Sequence, residues 1–530
     1  MHRPMKKQSI TKLLNNPGLR RWSIFVLLTF LSLGYPGYAV LHGDQRIYLP
    51  QLLQSETSDY SSDDILYRFA QSDLTVFGEL IFAANWILPG DIFITLFILT
   101  LLTRLLYCYA VYSIAYFFTR NEWFSIIIPA VILSGLAVFG TAISTVEPEL
   151  HPRNIALAIS LLALGMYVRN RVGISSGLLA ASMLIHPITT AFFWLTVAVD
   201  RGLTWLRSPS FVNLLSSTII LAPTIIAAAF LLISSGSSGS GILSHIDTEW
   251  RQIIDFRTPF IFVSTWKWIY FLDFILVGTF LLIGIHHSWR QLDDQQRYWL
   301  SLLLLVPIAL SAFYVIATEI FSILAALQLH RSLIIVKILA VILFLFSSLK
   351  FIKSKQSDAV LIFTLTWIIA ALFFAELLVY SMLTIFFLCW LRDTKFLDVL
   401  LPQRLAKLCN PFFNYQFLLL LSFSSLAVSY ILVTRYLSYL TSEFYYILVI
   451  SLTATLILRT RLHHVVIKRS LSLLLIISIS PLVLAHITIQ PSYLQDTQFV
   501  ELCTWVRDNT QPNDLFLTEP FSENNAGTRI

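Results

Sequence analysis

The stretch "IFITLFILTLLTRLLYCYAVYSIAYFF" at residues 92–118 decides what kind of protein this is. As one helix at 1.5 Å per residue it spans about 40 Å, more than the roughly 30 Å hydrocarbon core of a bilayer. Comparable stretches recur at 22–40, 122–144, 154–169, 211–234, 264–286, 297–317, 332–349, 413–434, 442–459 and 469–487. Two regions are ambiguous. Residues 173–199 carry His186-Pro187 near their middle, and 358–391 carry Glu376 between apolar halves. Each reads either as one long helix or as a pair that returns to its starting side. The pattern predicts an all-α polytopic membrane bundle of about 13 to 15 segments.

Composition supports this reading. Hydrophobic residues make up 57% of the chain and charged residues 12%, against about 25% charge in a soluble domain. Most soluble-enzyme readings are thereby excluded. The net charge of +6 comes from basic residues scattered through short loops, which marks topology rather than nucleic-acid binding. The cysteines Cys108, Cys389, Cys409 and Cys503 lie far apart and form no metal-ligand spacing.

Residues 1–21 are basic, and no small-residue cleavage site follows the first span, so they read as an uncleaved cytoplasmic tail. If both ambiguous regions return, Arg169, Arg171, Arg201, Arg207, Arg290, Arg297 and the basic residues within 350–355, 392–407 and 459–469 share the side of the amino terminus. Segments 41–91, 145–153, 235–263, 318–331, 435–441 and 488–530 then face the other side. The expected organisation is a tail at 1–21, a bundle at 22–490 with a polar outer loop at 41–91, and an extracytoplasmic tail at 491–530. The expected location is the plasma (inner) membrane, crossed many times. A helix from about 496 to 507 and the strand "LFLTEP" would open a small α/β element in that last tail, which ends before a second strand.

The outer side holds the polar candidates. Asp44 ends the first span beside His42, Arg46 and Tyr48; the loop continues with Asp59, Asp63, Asp64, Asp73 and Glu79, of which Asp59, Asp63 and Asp64 read as a solvated linker. Asp44 is either a solvated helix end or a base at the membrane boundary that accepts a proton from a hydroxyl nucleophile. The next outer loop, "STVEPELHPRNIAL" at 144–157, puts Glu147, Glu149, His151 and Arg153 within seven residues. Pro148 and Pro152 restrict its backbone, and Asn154 is a candidate cap. Glu149 and Arg153 either pair and anchor that end, or one carboxylate assists Asp44 or a divalent cation while Arg153 grips a phosphate.

His186 in "SMLIHPITT" is either a satisfied histidine at a helix break or a contact to a substrate head group. In "LAALQLHRSL", Gln328, His330 and Arg331 stand at the outer entry to a span. An arginine there runs against the basic-inside trend and suits a pyrophosphate or anionic lipid head group; the other reading is a snorkelling side chain. Residues 235–263 start Gly/Ser-rich without a P-loop lysine and end amphipathic, at Trp250, Ile253, Ile254 and Phe256, as an interfacial helix, a lid or a linker.

On Asp44, "EPELHPRN", "IHP" and "WVRDNTQPNDLFLTEP", the chain resembles the GT-C superfamily of multispanning glycosyltransferases, most closely a poorly characterised bacterial branch. Members use a lipid-phosphate-linked sugar, place an essential acid in the first outer loop and surround the donor lipid with helices. The resemblance implies a GT-C-like bundle that moves sugar from a polyprenyl-phosphate donor to an extracytoplasmic acceptor. Asp44 would be catalytic and Glu149 a second acid, with Arg153 and Arg331 on the donor phosphate. Arg46, His186, Gln328 and His330 complete the candidate substrate-binding set. Many members carry two acids close together in that loop; here Gln45 and Arg46 follow Asp44. The rival readings are a transporter or flippase of a lipid-linked precursor and a non-catalytic scaffold. An outer cavity joining Asp44, Glu149, Arg153 and Arg331 favours transfer, and a continuous central route favours transport.

Overall fold

Asn16 starts the first helix, α1 (Pro17–Leu31), by accepting the backbone N–H groups of Gly18 and Leu19. The computed structural model describes residues 16–34, 36–40, 44, 45, 48, 75–88, 90–234, 246, 248–318 and 322–354, with positions 501, 504, 505, 508 and 509. The expected spans at 413–434, 442–459 and 469–487, the region 358–391, most of loop 41–91 and nearly all of the tail at 491–530 lie outside these residues.

After α1 come α2 (Phe77–Ile87), α3 (Ile92–Thr119) and α4 (Glu122–Ile132), then the strands β1 (Ala137–Val138) and β2 (Ile143–Ser144). The chain continues with α5 (Pro152–Tyr167), α6 (Val172–Ile185), α7 (Pro187–Arg207), α8 (Phe211–Ser234), α9 (Thr248–Arg257), α10 (Trp268–Ser288), α11 (Asp294–Ala317), α12 (Ser322–Leu327) and α13 (Leu333–Ser354). Among the described residues, four stretches are long and apolar enough to cross a membrane: Ile92–Thr119, Phe211–Ile233, Asp294–Ala317 and Leu329–Ser347. With the large apolar side chains exposed along α8, among them Phe211, Ile226 and Ile233, the described residues form a mostly helical bundle of the kind a polytopic membrane protein requires.

Of the two readings of 173–199, the structure has the returning pair. His186 is extended (φ −155°, ψ 95°) between α6 and α7, because proline disfavours helical backbone at the residue before it. Near the end of α7, the Asp200 carboxylate accepts hydrogen bonds from Tyr167 Oη at 2.6 Å, at the end of α5, and from Tyr298 Oη at 2.7 Å, early in α11. The pair therefore goes out and comes back. Arg20, Arg120, Arg169, Arg201 and Arg297 gather at one end of the bundle, while Asp44, residues 147–153, His186 and Arg331 gather at the other.

Three expectations are corrected. The span at 22–40 is helical only to Leu31 and then turns. Loop 41–91 contains the apolar helix α2, whose Phe77 and Ile81 are buried against α3 and its neighbours. The span at 122–144 is the short α4 followed by an antiparallel hairpin, with Ala137 opposite Ser144 and Val138 opposite Ile143. Apolar content is the same for a buried hairpin as for a helix. The turn requires Gly140, whose φ is +78° and where a Cβ would lie 2.7 Å from the Trp266 ring. The amphipathic α9 forms as expected: Ile254 packs with Ile261 and Phe262, while Ile253 and Phe256 are exposed.

Backbone that is not helical at membrane depth must be satisfied by protein. Lys337 Nζ donates to Ala137 O and pairs with Asp273 Oδ1 at 3.3 Å, and Asp273 Oδ2 accepts the Phe139 N–H at 3.3 Å. Both side chains are buried. Lys337→Met alone strands a buried carboxylate and should cost about 3–5 kcal/mol. Lys337→Met with Asp273→Asn keeps an acceptor for Phe139 and should recover much of the loss, read as the thermal midpoint of the purified protein.

Candidate functional site

Two loops meet at the end of the bundle opposite the arginine-rich end, and hydrogen bonds from α3 and from Gln45 hold them there. The Arg104 guanidinium of α3 is 2% exposed. Its Nη1 donates to Ser32 O at 3.0 Å, and its Nη2 to Gly37 O at 2.6 Å and Glu147 O at 3.0 Å. Gln45 Nε2 adds a bond to Leu150 O at 3.0 Å, and Ala39 N donates to Pro148 O at 3.2 Å. The turn after α1 is thus laid against residues 147–150, which brings Asp44 to the start of α5.

There Arg153 donates from Nη1 to Asp44 Oδ2 at 2.6 Å and from Nε to both Glu147 oxygens at 3.0 Å. His151 Nε2 lies 2.9 Å from Glu149 Oε1 and 3.7 Å from Glu147 Oε2, and Nδ1 lies 3.8 Å from Asp44 Oδ2. Asp44 is the open member, its side chain 43% exposed, whereas Glu147, Glu149 and His151 are buried.

The expected Glu149–Arg153 pair is not formed; Arg153 binds Glu147 and Asp44, and Glu149 turns to His151. The reason is local. His151 is the extended residue (φ −120°, ψ 160°) before Pro152 opens α5, so Glu149 lies outside the helix and the i, i+4 relation does not apply. For the same reason His151, not Asn154, occupies the cap position.

Burial raises the Asp44 carboxyl, but Arg153, with His151 and Arg331 behind it, outweighs burial and holds it below the ordinary carboxylate range. His151 goes below its ordinary value: burial and then Arg153 disfavour the imidazolium more than Glu147, Glu149 and Asp44 favour it.

Arg331 arrives from the 3-10 turn Leu329–Ser332 before α13. It is 7% exposed, donates from Nε to Thr141 O at 3.0 Å and lies 5.3 Å from the Phe260 ring centroid. Among the described residues no carboxylate lies within 4.0 Å of it, while Asp44, Glu147 and Arg153 act on it through space. His186 borders the same cluster, feeling Arg153, Arg331, His151 and Asp44, and its Nδ1 accepts the Thr189 N–H at 3.1 Å to cap α7. His330 stacks on Tyr314 at 4.2 Å, and Gln328 takes the left-handed conformation (φ 46°) that turns the chain. Arg46 lies outside the described residues.

A small recess of ≈ 20 Å³, about room for a water molecule, lies beside the cluster along α3, walled by Thr100, Arg104, Tyr107, Glu147 and Glu149 among others. Of the four groups expected to share a cavity it takes in only Glu149. No three His, Cys, Asp or Glu side chains among the described residues are placed to hold a metal ion. Sequence reading passed over Arg104 and gave Glu147 no role. The signal for Arg104 was present: it is the lone charge in the stretch 92–118, and an ionised group in an apolar span requires partners. No family model matches the chain, and no curated protein matches it either.

The titration of His151 has a fixed sign. With the folded value below 6.5, the unfolded chain takes up a proton that the folded one refuses, so stability present above about pH 6.5 is lost as pH falls. The thermal midpoint of the purified protein should therefore drop below pH 6.5, and His151→Asn should shrink that drop without abolishing it, because His186 is also buried.

Proposed function

We propose that this protein transfers a sugar from a polyprenyl-phosphate-linked donor to an acceptor hydroxyl on the extracytoplasmic face of the membrane. One observation carries the reading: Asp44, the open carboxylate, sits 2.6 Å from Arg153 and within electrostatic range of the buried Arg331. The three come from segments far apart in the chain. The basic-inside rule, applied to the arginine-rich end, supports an outer-side reading of this cluster.

The roles follow from the chemistry of the groups. The guanidinium of Arg331, with Arg153, would hold the donor phosphate, Arg being suited to that fork geometry. Asp44 would take the proton of the acceptor hydroxyl as its oxygen bonds to the anomeric carbon. The bond from that carbon to the phosphate oxygen breaks, and the polyprenyl phosphate leaves with the electron pair against the arginines. Without donor, Arg153 binds Asp44 directly and keeps its carboxylate weakly basic. A phosphate that takes over Arg153 releases Asp44 as a stronger base.

The test is turnover of polyprenyl-phosphate sugars by the purified full chain, followed by mass spectrometry. Asp44→Asn should bind donor at least as tightly and lose about a hundredfold or more in rate, whereas Arg331→Gln should weaken donor binding. Undiminished turnover by Asp44→Asn would remove Asp44 from the chemistry, and donor binding without turnover by the unaltered protein would favour transport.

A further inference from the structure

The arginine-rich end carries a second assembly, separated from Arg153 by roughly 20 Å along α5. On α3, Tyr109, Tyr112 and Tyr116 fall at i, i+3 and i+7 and so share one face. Their rings stack at 6.4 Å and 5.8 Å, and Trp22 of α1 extends the stack onto Tyr109 at 5.4 Å. Two guanidiniums flank this ladder. Arg21 lies 5.0 Å from the Tyr112 ring centroid and donates from Nη1 to Tyr112 Oη at 2.8 Å. Arg169, in the turn after α5, lies 5.6 Å from the Tyr116 ring and donates from Nη2 to Ser113 O at 2.7 Å.

The neighbouring arginines differ in one respect. Arg20 lies 3.7 Å from Glu122, and Arg120 lies 3.6 Å from Asp293. No carboxylate among the described residues lies within 4.0 Å of Arg21 or Arg169, and the shielded Nε of Arg21 has no hydrogen-bond partner there. Among the described residues, two positive charges therefore stand without a carboxylate partner over an aromatic floor at the level where α1 begins and α3 and α5 end. In a bundle that crosses a bilayer, helix ends of this kind meet the head-group region. From it descends an exposed apolar stripe on α1, Trp22, Val26 and Phe30, at i, i+4 and i+8.

We infer that Arg21 and Arg169 bind the phosphate of an anionic phospholipid whose acyl chains run down Trp22, Val26 and Phe30. Guanidinium forks match the phosphate, and the stripe gives the chains a surface that a free phosphate would leave unused. The site is separate from the proposed donor site and does not depend on the transferase reading.

The experiment is lipid retention by the purified full chain from mixed phosphatidylglycerol–phosphatidylcholine micelles, read by native mass spectrometry. The unaltered protein should retain phosphatidylglycerol over phosphatidylcholine by about tenfold or more, and inorganic phosphate should not displace it. Arg21→Gln with Arg169→Gln should abolish the preference. Arg297→Gln, at an arginine of the same end that pairs with Asp294, should leave it intact. Equal retention of both lipids, displacement by inorganic phosphate, or equal loss in the Arg297 variant would each overturn the proposal. The first two comparisons need no variant, so a double variant that fails to fold leaves the question decidable.

Discussion

A guanidinium withdrawn from water costs several kcal/mol unless its donors find acceptors, and both Nη groups of Arg104, though not its Nε, find them in backbone that no helix uses. Its two Nη groups satisfy carbonyls of Ser32, Gly37 and Glu147, the residues where α1 has ended and α5 has not begun. Such carbonyls are themselves costly in an apolar setting. The arginine and the two loops therefore need one another. Because the same bonds set the turn before Asp44 against Glu147, the geometry of Asp44, Glu147 and Arg153 rests on a residue in the middle of a membrane helix.

The hairpin at 137–144 follows the same rule. Lys337 and Asp273 meet its Ala137 carbonyl and Phe139 N–H, and Arg331 meets its Thr141 carbonyl. Arg331 is thus tied to the hairpin through one nitrogen. Irregular backbone here is the means by which charged side chains are held at fixed positions among apolar helices.

This explains what could be read from the residues and what could not. The break at His186-Pro187 was legible because proline acts on its predecessor whatever surrounds it, and 92–118, 211–234 and 297–317 were legible because length and hydropathy suffice for a lone span. The hairpin was not, since Val138, Ile143 and Val146 look alike in a helix and in a buried strand, and the glycines that mark the turn are few. Asp44, Arg153 and Arg331 could be named as candidates from their position at span ends. Their convergence depends on Arg104 and on the extended backbone at His151, and neither contact has a local sequence signature.

An anion has reason to enter a cluster that already holds three carboxylates. Glu147 is engaged at both oxygens by Arg153 Nε, and Glu149 is buried beside His151, with Oε1 2.9 Å from its Nε2. Asp44 is different: it is half-exposed, bound to Arg153 through one oxygen, and set on a short turn. Under the proposed reading, a donor phosphate held by Arg331 would compete with Asp44 alone for Arg153 Nη1, while Glu147 keeps hold of Nε. The exchange substitutes one anion for another at a single nitrogen and leaves the rest of the network closed. Under the proposed transfer it would also couple two events, because the carboxylate displaced by the donor would be the one that then faces the acceptor hydroxyl.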